Sequence, residues 1–152
     1  MATTITAGNA VFLDTNILVY HTFSGSPLYI AANKRINEFQ NSGIKLCISR
    51  QVLRESAAVL SRKDHAAGSL SRDQLINAIE GFNANCLVLE DNSSVTDHWL
   101  QLLSTHNISG RQVYDANIAA TMLCYGVKSL LTNNVIDFKR FEPGIKVLSL
   151  ET

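Results

Sequence analysis

The chain has 152 residues, 46% of them hydrophobic and 17% charged, with 13 basic and 13 acidic side chains and a formal net charge of zero. That size predicts a single domain, residues 1–152, around one core. The balanced composition excludes a disordered chain, a fibrous repeat, and a protein built for non-specific nucleic-acid binding, which needs a basic excess. Met1 to Ala10 lacks the basic and apolar segments of a secretory leader, and no run approaches the roughly 18 apolar residues that span a bilayer. Cys47, Cys86 and Cys124 are odd in number and lie in apolar stretches, as reduced core residues do. The expectation is a cytoplasmic protein with no membrane contact.

Val11-Phe12-Leu13 is a short apolar run that meets Asp14 and continues as apolar sequence to Tyr20. It reads as a buried parallel strand passing into a helix over Thr15–Phe23, with Asp14 at the strand's carboxyl end, where open α/β sheets bind ligands. Pro27 opens a second helix, Leu28–Gln40, with Ile30, Ala31, Ile36 and Phe39 at roughly helical spacing. Ile44–Ile48 is a second strand. Ser49 then caps a helix to about Arg62, with Val52, Leu53, Ala57, Val59 and Leu60 on its buried side.

Glu55 lies three residues after Val52 and four before Val59, so it shares their apolar face. A carboxylate buried there requires a charged partner, a hydrogen-bond network or a metal. Lys63–Ser69 is a loop. Ser71-Arg72-Asp73-Gln74 has capping-box spacing and starts a helix whose buried side is Leu75, Ile76, Ile79 and Phe82. Cys86–Leu89 is a third strand, and the next helix carries Val95, Trp99, Leu102 and Leu103, with Trp99 assigned to the core. His98 and His106 flank Trp99 at a spacing that matches no common zinc pattern.

Gly110–Asp115 introduces the most apolar helix, Ala116–Tyr125, closed by Gly126. Asp115 is in its first turn and heads the stripe of Ile118, Ala119 and Met122. Ser129–Thr132 is a fourth strand, Asn133–Phe138 a turn, and Lys146–Leu150 the last strand. Strands alternating with helices imply a mostly parallel sheet of four to five strands with helices on both sides. Strand ends and helix starts then share one rim, which gathers Asp14, Glu55, Asp115, Asn134 and Asp137, with Glu55 and Asp115 placed in first helical turns. Each is also explained singly, as a cap, a favourable charge at a helix start, or a buried salt bridge.

Carboxylates sharing a partly buried site repel one another, and a divalent cation removes the conflict. Oxygen donors with no nearby Cys or His suit Mg2+ or Mn2+, one ion or two, and the chemistry of a metal-dependent nuclease.

Four segments carry a family resemblance: Phe12-Leu13-Asp14-Thr15-Asn16-Ile17-Leu18, Val52-Leu53-Arg54-Glu55, Tyr114-Asp115-Ala116, and Leu131-Thr132-Asn133-Asn134-Val135-Ile136-Asp137-Phe138. In order, spacing and total length the chain resembles the PIN-domain ribonucleases, most closely the VapC-like toxins of bacterial toxin-antitoxin pairs. The resemblance implies a PIN-like three-layer α/β fold with Asp14, Glu55 and Asp115 as metal-binding acids. It puts a fourth acid early in the Thr132–Asp137 turn, where this chain has Asn133 and Asn134, so Asp137 is expected to complete the site with Asn134 supporting. Thr15, Asn16 and Thr132 are then the groups that orient the carboxylates. The resemblance further implies RNA cleavage by water attack, a homodimer, and a cognate antitoxin that blocks the acidic site. Among Arg50, Arg54, Arg62 and Arg111, Arg111 is the one expected to meet a substrate phosphate.

Three other classes stand beside this one. A phosphohydrolase with an aspartyl nucleophile wants a second acid two residues after Asp14, where Asn16 stands. Asn133 and Asn134 are compatible with a non-catalytic PIN-like interaction module, and retention of Asp14, Glu55 and Asp115 counts against it. A housekeeping RNA-processing nuclease keeps the same residues and differs only in its target.

Overall fold

Ala10–Leu13 forms strand β1, and all four of its side chains are buried, as expected of a strand covered on both faces. The computed structural model describes residues 9–64 and 68–151. The reading of Met1–Ala10 as leaderless therefore falls mostly outside the described residues, as do residues 65–67 of the Lys63–Ser69 loop.

After β1 come α1 (Thr15–Thr22), α2 (Tyr29–Asn41), β2 (Lys45–Ser49), α3 (Arg50–Leu60), α4 (Arg72–Asn85), β3 (Leu87–Leu89) and α5 (Ser93–Thr105). The chain continues through α6 (Gln112–Tyr125), β4 (Ser129–Leu131), α7 (Val135–Phe138), a 3-10 turn at Lys139–Phe141, and β5 (Lys146–Leu148). The local signals account for most boundaries. Ser49 accepts from the Val52 amide to cap α3, Ser71 and Gln74 form the reciprocal capping box of α4, and Gly126, at φ 73°, closes α6 in the left-handed conformation.

The five strands form one parallel sheet in the order β3-β2-β1-β4-β5. Phe12 pairs with Cys47 on one side and Leu130 on the other, and all three are fully buried. The chain builds outward from β1 to β2 and β3, then returns to place β4 on the opposite side of β1. That reversal is a topological switch point, the place where open sheets of this kind form a binding crevice beyond the strands' carboxyl ends, here those of β1 and β4. Right-handed crossovers put α1–α4 on one face of the sheet and α5–α6 on the other. The contacts agree: α1 packs on α2 and α3, α3 on α4, and α5 on α6. Among the described residues no helix is long and apolar enough to cross a membrane.

Several expectations need correction. The Asn133–Phe138 turn contains the one-turn helix α7, which Asn134 precedes. Glu55 is in the second turn of α3, not the first. Ile76 is 47% exposed, because the buried stripe of α4 runs through Leu75, Ala78, Ile79 and Phe82, and Ile76 stands one helical step off it. Ile30 is 80% exposed for the same reason, since α2 buries Ala32 and Ile36. Trp99 is only partly buried, and its indole N–H donates to the Val113 carbonyl at 2.8 Å, tying α5 to the start of α6.

Candidate active site

Asp14 follows β1 directly. Its amide donates to the Leu131 carbonyl at 3.1 Å, continuing the ladder with β4 for one more rung, and the chain then turns into α1. The carboxylate is 6% exposed and accepts three hydrogen bonds: Oδ1 from the Thr15 amide at 2.8 Å, Oδ2 from Thr132 Oγ1 at 2.7 Å and from Asn16 Nδ2 at 3.3 Å. Burial raises its pKa, the negative charge of Glu55 adds to the rise, and the three hydrogen bonds oppose it; burial wins. Thr132, fully buried just past β4, also accepts the Asn134 amide at 2.9 Å, so one hydroxyl connects the two strand ends of the switch point.

Glu55 reaches the same place from α3. Its Oε2 accepts from Thr15 Oγ1 at 3.0 Å and its Oε1 from Gln51 Nε2 at 2.8 Å. The half-buried carboxylate is thus met by a hydrogen-bond network of Thr15 and Gln51. Thr15 gives its amide to Asp14 and its hydroxyl to Glu55, which fixes the two acids relative to each other.

Asp115 is half-buried in the first turn of α6, above the fully buried Ala119 and Met122. Its pKa is pushed up to about 6, first by burial and then by the charges of Asp14, Asp137 and Glu55, with Arg140 pulling the other way. Three acids from three other segments thus act on it at once. Asp137 is exposed on α7. Asn134 meets the cluster through its backbone amide, and Asn16 accepts the Asn133 amide at 3.2 Å, which holds the start of the turn.

The arginines are distributed differently from expectation. Arg50 pairs with Glu90 at 2.6 Å and Arg62 with Asp64 at 3.5 Å, both near the surface. Arg54 and Arg111 are exposed, Arg111 at the entry to α6. Arg140, which no sequence signal singled out, is the cation that acts on Asp115, and its Nη1 donates to the Asn107 carbonyl at 3.2 Å. Gln51 and Asn117 were missed as well; the only available signal was the four-residue spacing of Gln51 and Glu55. A cleft of about 430 Å3 at the opposite, amino-terminal end of the strands is lined by Lys45, Asn85 and Cys86 among others and holds no acid.

Comparison with known proteins assigns this fold and its acidic rim to a family. A model of the PIN domain matches residues 11–142. The chain belongs to the PIN domain family. No curated protein sequence matches it. Solved structures share the fold of this PIN domain at low identity. VapBC2 from Rickettsia felis, bound to a DNA fragment from its promoter, is 22% identical, with a TM-score of 0.67 over 92% of this chain and 98% of that one. VapBC-1 from nontypeable Haemophilus influenzae is 23% identical, with a TM-score of 0.63 over 94% and 99%. The sarcin-ricin loop cleaving toxin VapC20 of Mycobacterium tuberculosis is 16% identical, with a TM-score of 0.61 over 79% and 86%.

The side chains of this PIN domain suit a hard divalent cation in their chemistry. The donors at the rim are carboxylate, amide and hydroxyl oxygens, the set that Mg2+ or Mn2+ takes and zinc does not prefer. Asp115 is raised first by burial and then by like charge from three acids, and a cation would relieve the second part. As they stand, no three acidic, His or Cys side chains among the described residues come close enough together to hold one ion. The fit is one of donor type and mutual electrostatic reach.

Proposed function

We propose that this PIN domain is a Mg2+- or Mn2+-dependent endoribonuclease and the toxin of a toxin-antitoxin pair, a single catalytic unit spanning the chain. The observation that carries the reading is that Thr15 holds Asp14 and Glu55 together at the switch point of the sheet, with Asp115 in the first turn of α6 close enough to feel both charges. Asp14, Glu55, Asp115 and Asp137 hold the ion, and Thr15, Asn16, Thr132 and Asn134 support them. When bound, the ion lowers the pKa of a water and offsets the charge that builds on the phosphate during cleavage.

The chain's own residues divide the remaining work. Thr132 and Asn16 donate to Asp14 Oδ2 and the Thr15 amide to Oδ1, which holds the carboxylate in one orientation. Thr15 also holds Glu55 through its hydroxyl. Arg140, on the Asp115 side, and Arg111, at the entry to α6, supply positive charge along the path an RNA backbone would take. The antitoxin assignment is supported by the neighbours: the Rickettsia felis and Haemophilus influenzae structures are VapBC pairs, and the Mycobacterium tuberculosis protein cleaves the sarcin-ricin loop. We place the protein in the cytoplasm, as a homodimer, with a cognate antitoxin covering the acids.

The test is cleavage of total cellular RNA by inhibitor-free protein with Mg2+ or Mn2+, against the same protein in chelator and against Asp14→Asn. Cleavage that needs the ion and is lost in Asp14→Asn is expected; equal cleavage in chelator removes the metal mechanism. Expression of the chain alone in bacteria should arrest growth, and Asp115→Asn should relieve the arrest. Harmless expression of an active enzyme assigns it to RNA processing instead.

A further inference from the structure

We propose that Gln51 is the positioning residue that sets Glu55 and the Asp115 turn at a fixed separation, with Asn117 bracing the oxygen end of the Gln51 amide. The inference rests on the metal-site reading above. Glu55 is on α3 and Asp115 on α6, in layers on opposite faces of the sheet, and α3 and α6 are not a closely packed pair among the described residues. Something other than helix packing must fix their spacing at the rim.

Gln51 does so with its whole amide. Nε2 donates to Glu55 Oε1 at 2.8 Å and to the Tyr114 carbonyl at 3.2 Å, so one nitrogen holds the carboxylate of α3 and the backbone next to Asp115 on α6. Oε1 accepts from Asn117 Nδ2 at 2.9 Å. The Glu55 carboxylate and the Tyr114 carbonyl are acceptors without a proton, so they fix the Gln51 nitrogen toward them and leave its oxygen for the Asn117 NH2. A flipped Gln51 would place its oxygen against a carboxylate and a carbonyl, two acceptors with nothing to donate.

The bonds form one series across the site: Asp14 to the Thr15 amide, Thr15 Oγ1 to Glu55, Glu55 to Gln51, and Gln51 to Tyr114 and Asn117. It joins the end of β1 to the first turn of α6 and passes through each carboxylate it orients. Groups that orient metal-holding carboxylates in this way change ion affinity and turnover when removed, by about 10–100-fold. Acting through Glu55 and not on the substrate, Gln51 is expected to leave RNA binding unchanged.

The experiment measures Mn2+ affinity by electron paramagnetic resonance of the free ion, and kcat and KM for RNA cleavage. It compares wild type, Gln51→Leu, Asn117→Leu, the double variant and Asp14→Asn, each checked for folding by circular dichroism. Gln51→Leu is expected to weaken Mn2+ binding and lower kcat by about tenfold or more with KM unchanged. Asn117→Leu should act in the same direction and less strongly, and the double variant should match Gln51→Leu, because both break one series. Wild-type Mn2+ affinity in Gln51→Leu, or effects that multiply in the double variant, overturn the role of Gln51. If Gln51→Leu does not fold, wild-type affinity in Asn117→Leu overturns it. Should Asp14→Asn bind Mn2+ as wild type does, the metal-site reading fails, and this inference with it; an impaired Asp14→Asn beside a normal Gln51→Leu rejects only the inference.

Discussion

Thr15 Oγ1 donates to Glu55 Oε2 at 3.0 Å across forty residues of sequence, while the Thr15 amide donates to Asp14 Oδ1. One residue therefore orients two acids from different elements, and the acids repel across it. Burial and Glu55 both raise Asp14, so the site stores like charge that the protein offsets only in part.

Removing the Asp14 charge should separate function from folding. Asp14→Asn keeps an oxygen for the Thr15 amide and loses the ionised group, so RNA cleavage is expected to fall by at least about 100-fold, on the scale of several kcal/mol that a bound ion contributes. The melting temperature should stay the same or rise, since a buried carboxylate is replaced by a neutral group. A variant that cleaves RNA at the wild-type rate would exclude Asp14 from the chemistry.

Asp115 predicts a pH dependence of the ion-free protein. Its folded pKa is about 6 against an ordinary value of 3.8, so the folded state binds the proton more tightly than the unfolded one. Its ionised form opposes folding most above that folded pKa; the penalty begins to shrink as pH falls through about 6 and is gone only below the ordinary value of 3.8. In chelator, the melting temperature of wild type should rise relative to Asp115→Asn between about pH 7.5 and about pH 5, and Asp115→Asn should be the more stable protein at the upper end. A constant difference between the two over this range contradicts the electrostatic account.

The fourth ligand is decided by a pair of variants. Asp137 carries the charge that acts on Asp115, whereas Asn134 engages Thr132 through its backbone amide, which any residue retains. Asp137→Asn is expected to weaken Mn2+ binding and Asn134→Ala to leave it within about twofold, because only the first removes a charged donor. Isothermal titration calorimetry reads both; the reverse ranking would assign the position to Asn134.

Phe138 tests whether α7 is held by the core. It is fully buried, with its ring 6.3 Å from that of Phe141, and it follows Asp137 directly. Phe138→Ala should cost about 3–5 kcal/mol of stability in urea denaturation, the usual range for a buried Phe. A loss below about 1 kcal/mol would mean that α7 owes its position to other contacts.

The elements were legible in the chain because their causes are local. A four-residue apolar run, a Ser or Asn cap, a capping box and a glycine after a helix act within a turn of themselves, and they placed Asp14 at a strand end and Asp115 at a helix start. The departures have local causes too: Ile76 and Ile30 are apolar residues one step off their helix's buried stripe, and α7 is a single turn too short to show a period. What only the tertiary structure decided is who faces whom. That Thr132 meets Asp14 across 118 residues, that Gln51 meets Asn117 across 66, and that Arg140 acts on Asp115 all follow from the strand order β3-β2-β1-β4-β5. No periodicity encodes that order, since a buried strand looks the same from either neighbour. The acids were written in the sequence, and the distances between them were set by folding.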